Sequence, residues 1–130
     1  MTDLIARLKE ASAGLLYPSE TDAPLHVFVW QDAAPFSPQR LLASAGYDRA
    51  TPLRITDLDR FFQPVTTPQP WHDEEEQESV RRFTALRDLF KATLRDIKVY
   101  KIGSVAIDVY VIGRAADGTY CGLTTRVVET

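Results

Sequence analysis

The feature that most constrains the fold is a stretch of alternating residues near the C-terminal end of the sequence. Over Val105–Ile112, β-branched residues occupy every second position, which is the period of a β-strand. Asp117-Gly118 then predicts a tight turn, because glycine accepts the positive φ that such turns need. Cys121–Glu129 is expected to return as a second strand, with Leu123, Thr125 and Val127 on one face. The pattern therefore predicts a C-terminal β-hairpin around which the rest of the chain folds.

The segments before this hairpin predict helices and further strands. Apolar residues at helical spacing predict a long helix over about 73–96, with acidic residues in its first turns and basic residues near its end. A shorter helix begins after Thr56 and is expected to stop at Pro64. Residues 25–30 are nearly all apolar, which predicts a central strand covered on both faces.

The order of these elements predicts the fold class. One domain over residues 1–130 is expected, of the α+β class. Long apolar strands need cover on both faces, and the helices can supply it. We therefore expect a three-layer α/β/α sandwich around a mainly antiparallel sheet of four or five strands.

Two proline-containing loops interrupt the regular elements. Glu20 lies in the middle of the first, residues 15–24, and Gln69 and Trp71 lie in the second, residues 65–72. Proline fixes φ and removes a hydrogen-bond donor, so the second loop is expected to be stiff. Trp71 is predicted to be either an anchor onto the core or an exposed recognition residue.

Composition excludes several classes of protein. The net charge of −3 over 130 residues argues against direct binding to nucleic acid, which requires a basic face. The sequence starts without the basic region and apolar core of a signal peptide, and no apolar run approaches the roughly 20 residues of a membrane span. A single cysteine, Cys121, forms no internal disulfide and suits a reducing compartment. The chain is therefore expected to be cytoplasmic.

No residue pattern predicts catalysis or a cofactor. His72 precedes an acidic run, but a charged helix start needs no metal and no paired histidine spacing supports one. His26 is expected to be a hydrogen-bonded structural histidine within the central strand. Asp108 is expected either to point towards solvent on an uncovered part of the sheet or to pair with Arg126 across the hairpin, rather than to act catalytically. Taken alone, the residues predict a small acidic binding module and not an enzyme.

Several blocks of the sequence, in one order, resemble the bacterial nuclease A inhibitor family. The blocks that carry this resemblance are Ala11–Leu16, Ser19-Glu20, Val27–Trp30, Thr66–Trp71, Asp108–Gly113 and Val127–Thr130. They span nearly the whole chain. The resemblance implies a three-layer sandwich that acts as a monomer and plugs, in a 1:1 complex, the active site of a metal-dependent non-specific DNA/RNA nuclease.

The resemblance also implies which residues bind the partner. By motif these are Glu20, Gln69, Trp71 and Thr130, with Thr130 reaching the magnesium of the nuclease. The chain would hold no metal of its own. An alternative is that the same fold serves as a binding module for a different basic partner, and a third hypothesis is an enzyme of unknown type.

Overall fold

The computed structural model describes residues 2–129, which contain four helices and seven strands. The helices are α1 (Thr2–Ser12), α2 (Pro38–Ser44), α3 (Leu58–Thr66) and α4 (Glu74–Thr93). The strands are β1 (Leu16–Tyr17), β2 (Ala23–Pro24), β3 (His26–Val29), β4 (Leu53–Thr56), β5 (Arg95–Ile102), β6 (Ala106–Arg114) and β7 (Tyr120–Val128).

The main sheet is antiparallel throughout and has the order β3-β7-β6-β5-β4. The predicted hairpin is its centre, because β6 and β7 pair along their whole length and each has a second strand on its other side. Strands β1 and β2 form a separate two-stranded ladder. The prediction of an antiparallel sheet of four or five strands is confirmed.

Helices cover both faces of this sheet. Helices α1, α3 and α4 pack on one face and form a core with it. Their side chains Leu8, Phe62 and Phe90 are fully buried in this core. Helix α2 places Leu41 and Leu42 on the other face, in a second core that includes Tyr100. Alternate residues of each central strand enter the two cores, as the period of two requires. The predicted three-layer arrangement is therefore present.

Strand β3 lies at the edge of the sheet, so the prediction that it is central is wrong. Its side chains are apolar because both faces of the strand are covered. Val27 and Val29 pack against the three-helix core, and Phe28 packs against the core beneath α2. An apolar run reports the burial of faces and not the number of strand neighbours. His26, expected in a buried central strand, is exposed on this edge strand.

Helix α4 is the predicted long helix. Asp73 and Glu76 form a capping box at its start, each accepting a hydrogen bond from the other residue's backbone N–H. The helix ends at Thr93 and not near 96, because Leu94 is already extended and Asp96 has a φ of 53°. Strand β5 begins at Arg95, so Asp96 lies within its irregular first residues, where the pairing register with β6 shifts.

Pro64 does not stop α3, contrary to expectation, since the helix continues to Thr66. Proline removes one backbone donor, but the last turn receives other hydrogen bonds. The hydroxyl of Thr66 donates to the Phe62 carbonyl at 2.8 Å, and that of Thr67 donates to the Gln63 carbonyl at 2.7 Å.

Candidate functional site

The loop that carries Glu20 is the tip of a narrow hairpin. Leu16 pairs with Pro24 and Tyr17 with Ala23, so residues 18–22, called the first loop here, connect β1 to β2. Glu20 is exposed at the middle of this connection. The pairing fixes both ends of a loop that the sequence alone described only as turn-forming.

The first loop is hydrogen-bonded to the end of β7. The backbone N–H of Val128 donates to Ser19 Oγ at 3.1 Å, and the Glu20 N–H donates to the Val128 carbonyl at 3.4 Å. Ser19 Oγ in turn donates to the Thr21 carbonyl at 2.7 Å. The backbone of Glu20 is therefore held beside Val128 at the end of β7.

The base of the first loop is anchored in the core. The Tyr17 ring stacks on Phe61 with centroids 4.3 Å apart and meets the edge of Phe83 at 6.4 Å. Its hydroxyl donates to the Phe61 carbonyl at 2.6 Å. Thr125 of β7 donates to the Pro24 carbonyl at 2.9 Å on the other side of the hairpin.

The second loop, residues 67–72, closes on itself. The His72 N–H donates to the Gln69 carbonyl at 3.1 Å, and the Gln69 N–H donates to His72 Nδ1 at 3.3 Å. Gln77 Nε2 donates to the His72 carbonyl at 3.1 Å, which ties this turn to the start of α4. Trp71 is 73% exposed, so of the two roles predicted for it, the anchor onto the core is excluded.

On the side away from the first loop, the end of β7 is held by β6 and by the turn that precedes β6. The Glu129 N–H donates to the Val105 carbonyl at 2.9 Å, and Arg54 Nη2 lies 3.8 Å from Glu129 Oε2. This ion pair is exposed and contributes little by itself. Thr130, the fourth predicted contact residue, lies outside the described residues.

These segments border two adjoining grooves that share Pro18 and Pro64. One groove lies between the first loop and the end of β7, and Arg60 and Lys101 contribute to its wall. The other lies between the first loop and the second, where it reaches His72 and the first turns of α4. The two loops and the end of β7 thus form one continuous end of the molecule, called the two-loop end here.

A family comparison decides what kind of protein carries this end. The family model of nuclease A inhibitor-like proteins (NuiA) matches residues 2–130. The chain belongs to the nuclease A inhibitor-like family. The comparison with curated proteins finds no match. The family name indicates a nuclease as the partner of such proteins.

The two-loop end of this nuclease A inhibitor-like protein carries both signs of charge. Burial, followed by the negative charge of Glu129, raises the pKa of Tyr17 to about 12. The Lys101 ammonium lies 5.8 Å from the centroid of the Phe61 ring, which is a cation–π distance. The groove beside β7 therefore combines a carboxylate, two cations and an aromatic wall, which suits recognition of a charged protein surface.

Asp108 has the structural role that the sequence predicts. Arg126 Nε donates to Asp108 Oδ1 at 3.0 Å across the hairpin, and the Tyr47 hydroxyl donates to Oδ2. The hydrogen bond to Asp108, more than burial, raises the pKa of Tyr47. One carboxylate oxygen of Asp108 therefore bonds Arg126 across the hairpin, and the other holds Tyr47, which follows α2, against the sheet.

Other residues considered for chemistry are dispersed over the fold. Cys121 is fully buried in the three-helix core, and burial raises the pKa of its thiol. His72 is used in the turn of the second loop. Within residues 2–129, no three His, Cys, Asp or Glu side chains are grouped so that they could hold a metal ion.

No helix between residues 2 and 129 is both long enough and apolar enough to cross a membrane.

Sequence reasoning missed the residues that support the predicted contacts. Ser19 forms the link to β7, while Arg60 and Lys101 line the groove beside it. The Ser19–Val128 hydrogen bond joins residues 109 positions apart. A contact over that separation depends on the strand order, and no local pattern in the sequence signals it.

Proposed function

We propose that this chain is a protein inhibitor that binds and blocks the active site of a metal-dependent, non-specific DNA/RNA nuclease. It does so as a monomer in a 1:1 complex. Glu20, Gln69, Trp71 and Thr130 make the contacts, and Thr130 reaches the metal of the nuclease. Family membership over residues 2–130 supports the general function.

The single observation that carries the proposal is the attachment of the Glu20 loop to Val128. It holds the loop of Glu20, one proposed contact residue, against Val128, which precedes Thr130, another proposed contact residue, by two positions in the sequence. Two carboxylates from distant parts of the sequence can then enter one cleft together. A nuclease cleft is built for a polyanion, so an anionic projection fits its basic side chains.

The chemistry of the proposed metal contact follows from the ligand preference of magnesium. Mg²⁺ is a hard cation that prefers oxygen ligands and keeps open positions for substrate phosphate. We assign the contact with the magnesium of the nuclease to the terminal carboxylate and the hydroxyl of Thr130. Since the inhibitor offers no phosphodiester bond, it would occupy the site without being cleaved.

Trp71 gives the proposal its apolar contact. An exposed tryptophan is a frequent energetic hot spot when a partner covers it, because the large ring is desolvated at little cost in conformational entropy. Its position on the turn closed by Gln69 and His72 fixes the backbone from which it projects.

The test is inhibition of a magnesium-dependent, sugar-non-specific nuclease by the intact protein and by a version with one glycine added after Thr130. The added residue moves the carboxylate by about 3.5 Å, which no metal coordination sphere tolerates. We expect strong inhibition by the intact protein and much weaker inhibition by the extended one. Thr130→Val, which keeps the carboxylate in place, separates the contribution of the hydroxyl.

Two results would contradict the proposal in different ways. Equal inhibition by the intact and extended proteins would place the contact surface away from Thr130. Inhibition by neither, with both folded by circular dichroism, would exclude this class of nuclease as the partner and leave the alternative of a different basic protein.

A further inference from the structure

The outer edge of β7 changes partner part-way along the strand. Strand β3 pairs with β7 only as far as the His26–Thr124 pair. Beyond this pair β6 continues on the inner edge to the Ala106–Val128 pair. The last four residues of β7 therefore have no β3 residue on their outer edge.

The hairpin of the first loop takes the place of the missing strand. It immediately precedes β3, and Thr125 Oγ donates to the Pro24 carbonyl at its base. At its tip, both backbone groups of Val128 are engaged, the N–H by Ser19 Oγ and the carbonyl by the Glu20 N–H. The backbone supplies one of these hydrogen bonds, but a side chain supplies the other.

We propose that Ser19 is a positioning residue that fixes the Glu20 loop to the end of β7, so that Glu20 and the C-terminal residue enter the partner as one unit. This inference rests on the proposed function. Ser19 acts through the residues beside it and need not touch the nuclease.

The hydroxyl of Ser19 suits this role because it both accepts and donates. It accepts from the Val128 N–H at 3.1 Å and donates to the Thr21 carbonyl at 2.7 Å, so one atom joins the strand to the far side of the loop. Alanine at this position would leave a partly buried N–H without its acceptor. The loop would then sample more conformations, and binding would have to order it again.

The first experiment measures amide hydrogen exchange by NMR in the free protein. We compare the wild type with Ser19→Ala, Ser19→Thr and Ser37→Ala. The last is a matched control, because Ser37 Oγ accepts from the Arg40 N–H at 3.2 Å at the start of α2 and also leaves a backbone donor without its acceptor. We expect the Val128 amide to lose about tenfold of its protection in Ser19→Ala alone, and threonine to restore it.

The second experiment measures inhibition of the magnesium-dependent nuclease by the same variants. We expect Ser19→Ala to weaken inhibition by about tenfold, and Ser19→Thr and Ser37→Ala by less than about twofold. In a Glu20→Ala background, Ser19→Ala should then cost less than about twofold, because the residue it positions is absent. A residue that contributes only to stability would produce the same fold-change in both backgrounds.

The outcomes separate this inference from the function on which it rests. Unchanged exchange at Val128 in Ser19→Ala would overturn the positioning role, whatever the inhibition assay gives. Equal effects of Ser19→Ala with and without Glu20 would overturn it as well. Failure of the wild type to inhibit, with the exchange result as expected, would overturn the proposed function and the role of Ser19 in recognition, while the link between loop and strand would stand.

Discussion

The two loops at the two-loop end both contain proline, but they are held in different ways. The first loop is joined to β7 by hydrogen bonds at its tip and base, and Tyr17 anchors it in the core. The second loop forms its hydrogen bonds among its own residues, with Gln63 in the last turns of α3 and with Gln77 at the start of α4. Its largest side chain, Trp71, is exposed.

This difference separates stability from recognition. A loop whose anchor lies in the core cannot lose that anchor without lowering the stability of the whole fold. A loop closed by local hydrogen bonds can present an exposed side chain that contributes nothing to the core. We therefore expect anchor changes in the first hairpin to act on stability and inhibition together, and changes at Trp71 to act on inhibition alone.

The largest effect is expected from Tyr17→Ala. The ring is 7% exposed and is stacked on Phe61, so its removal leaves a cavity and an unanchored loop. The free energy of unfolding should fall by about 3–5 kcal/mol, the range for large aromatic-to-alanine changes in a core. Urea denaturation measures this loss. A loss below about 1 kcal/mol would mean that the first loop is held from its tip and not from its base.

The next effect is expected from Trp71→Ala, which should weaken nuclease inhibition by at least about 30-fold, or 2 kcal/mol, as at an interface hot spot. Its free energy of unfolding should stay within about 0.5 kcal/mol of the wild type. Inhibition unchanged by this substitution would remove Trp71 from the interface.

Trp30 provides the reciprocal control. Its indole Nε1 donates to the Ala34 carbonyl at 3.0 Å, and the ring packs against Phe36 in the core under α2. Trp30→Ala should therefore lower stability and leave the inhibition constant of the folded protein unchanged. If both tryptophans altered inhibition equally, the contrast between an exposed recognition residue and a core residue would fail.

Local patterns in the sequence predicted the parts of the fold that depend on neighbouring residues. Alternation over 105–112 and 121–129 predicted the central hairpin, and helical spacing predicted α4. Each of these features lies within one element or between two consecutive ones.

Features that depend on the strand order were not predictable in this way. Strand β3 is apolar because helices cover both of its faces, and the same pattern fits a central or an edge strand. This outcome cannot be read from a window of a few residues.

The candidate site likewise has residues that sequence motifs identify and residues that only the fold brings together. The motifs identified Glu20, Gln69 and Trp71 by resemblance, but whether Trp71 is buried or exposed depended on the packing of the loop. The residues that support them, Ser19 above all, act through a contact that spans most of the chain. The sequence therefore predicted candidate contact residues, and the fold was needed to find what positions them.

Alkaline pH should distinguish the two loops, since the hairpin of the first contains a buried tyrosine and the second contains none. Burial and the charge of Glu129 raise the pKa of Tyr17 from 10.0 to about 12. Between these values the unfolded chain has lost the phenol proton and the folded protein still holds it. This proton therefore stabilises the folded protein fully below pH 10. As the pH rises from 10 towards 12 that stabilisation is lost, and the free energy of unfolding falls by roughly 2 kcal/mol.

Tyr17→Phe isolates this contribution, because Tyr47, Tyr100 and Tyr110 also have raised pKa values and remain in the variant. At pH 7 the variant should be less stable by about 1 kcal/mol, through the lost hydrogen bond to the Phe61 carbonyl. Above pH 10 the wild type should lose stability more steeply, so the difference between the two proteins should close and then reverse. Urea denaturation at a series of pH values from 7 to 11.5 measures it. A constant difference across this range would show that the Tyr17 hydroxyl is accessible to solvent and that the first loop is anchored no more firmly than the second.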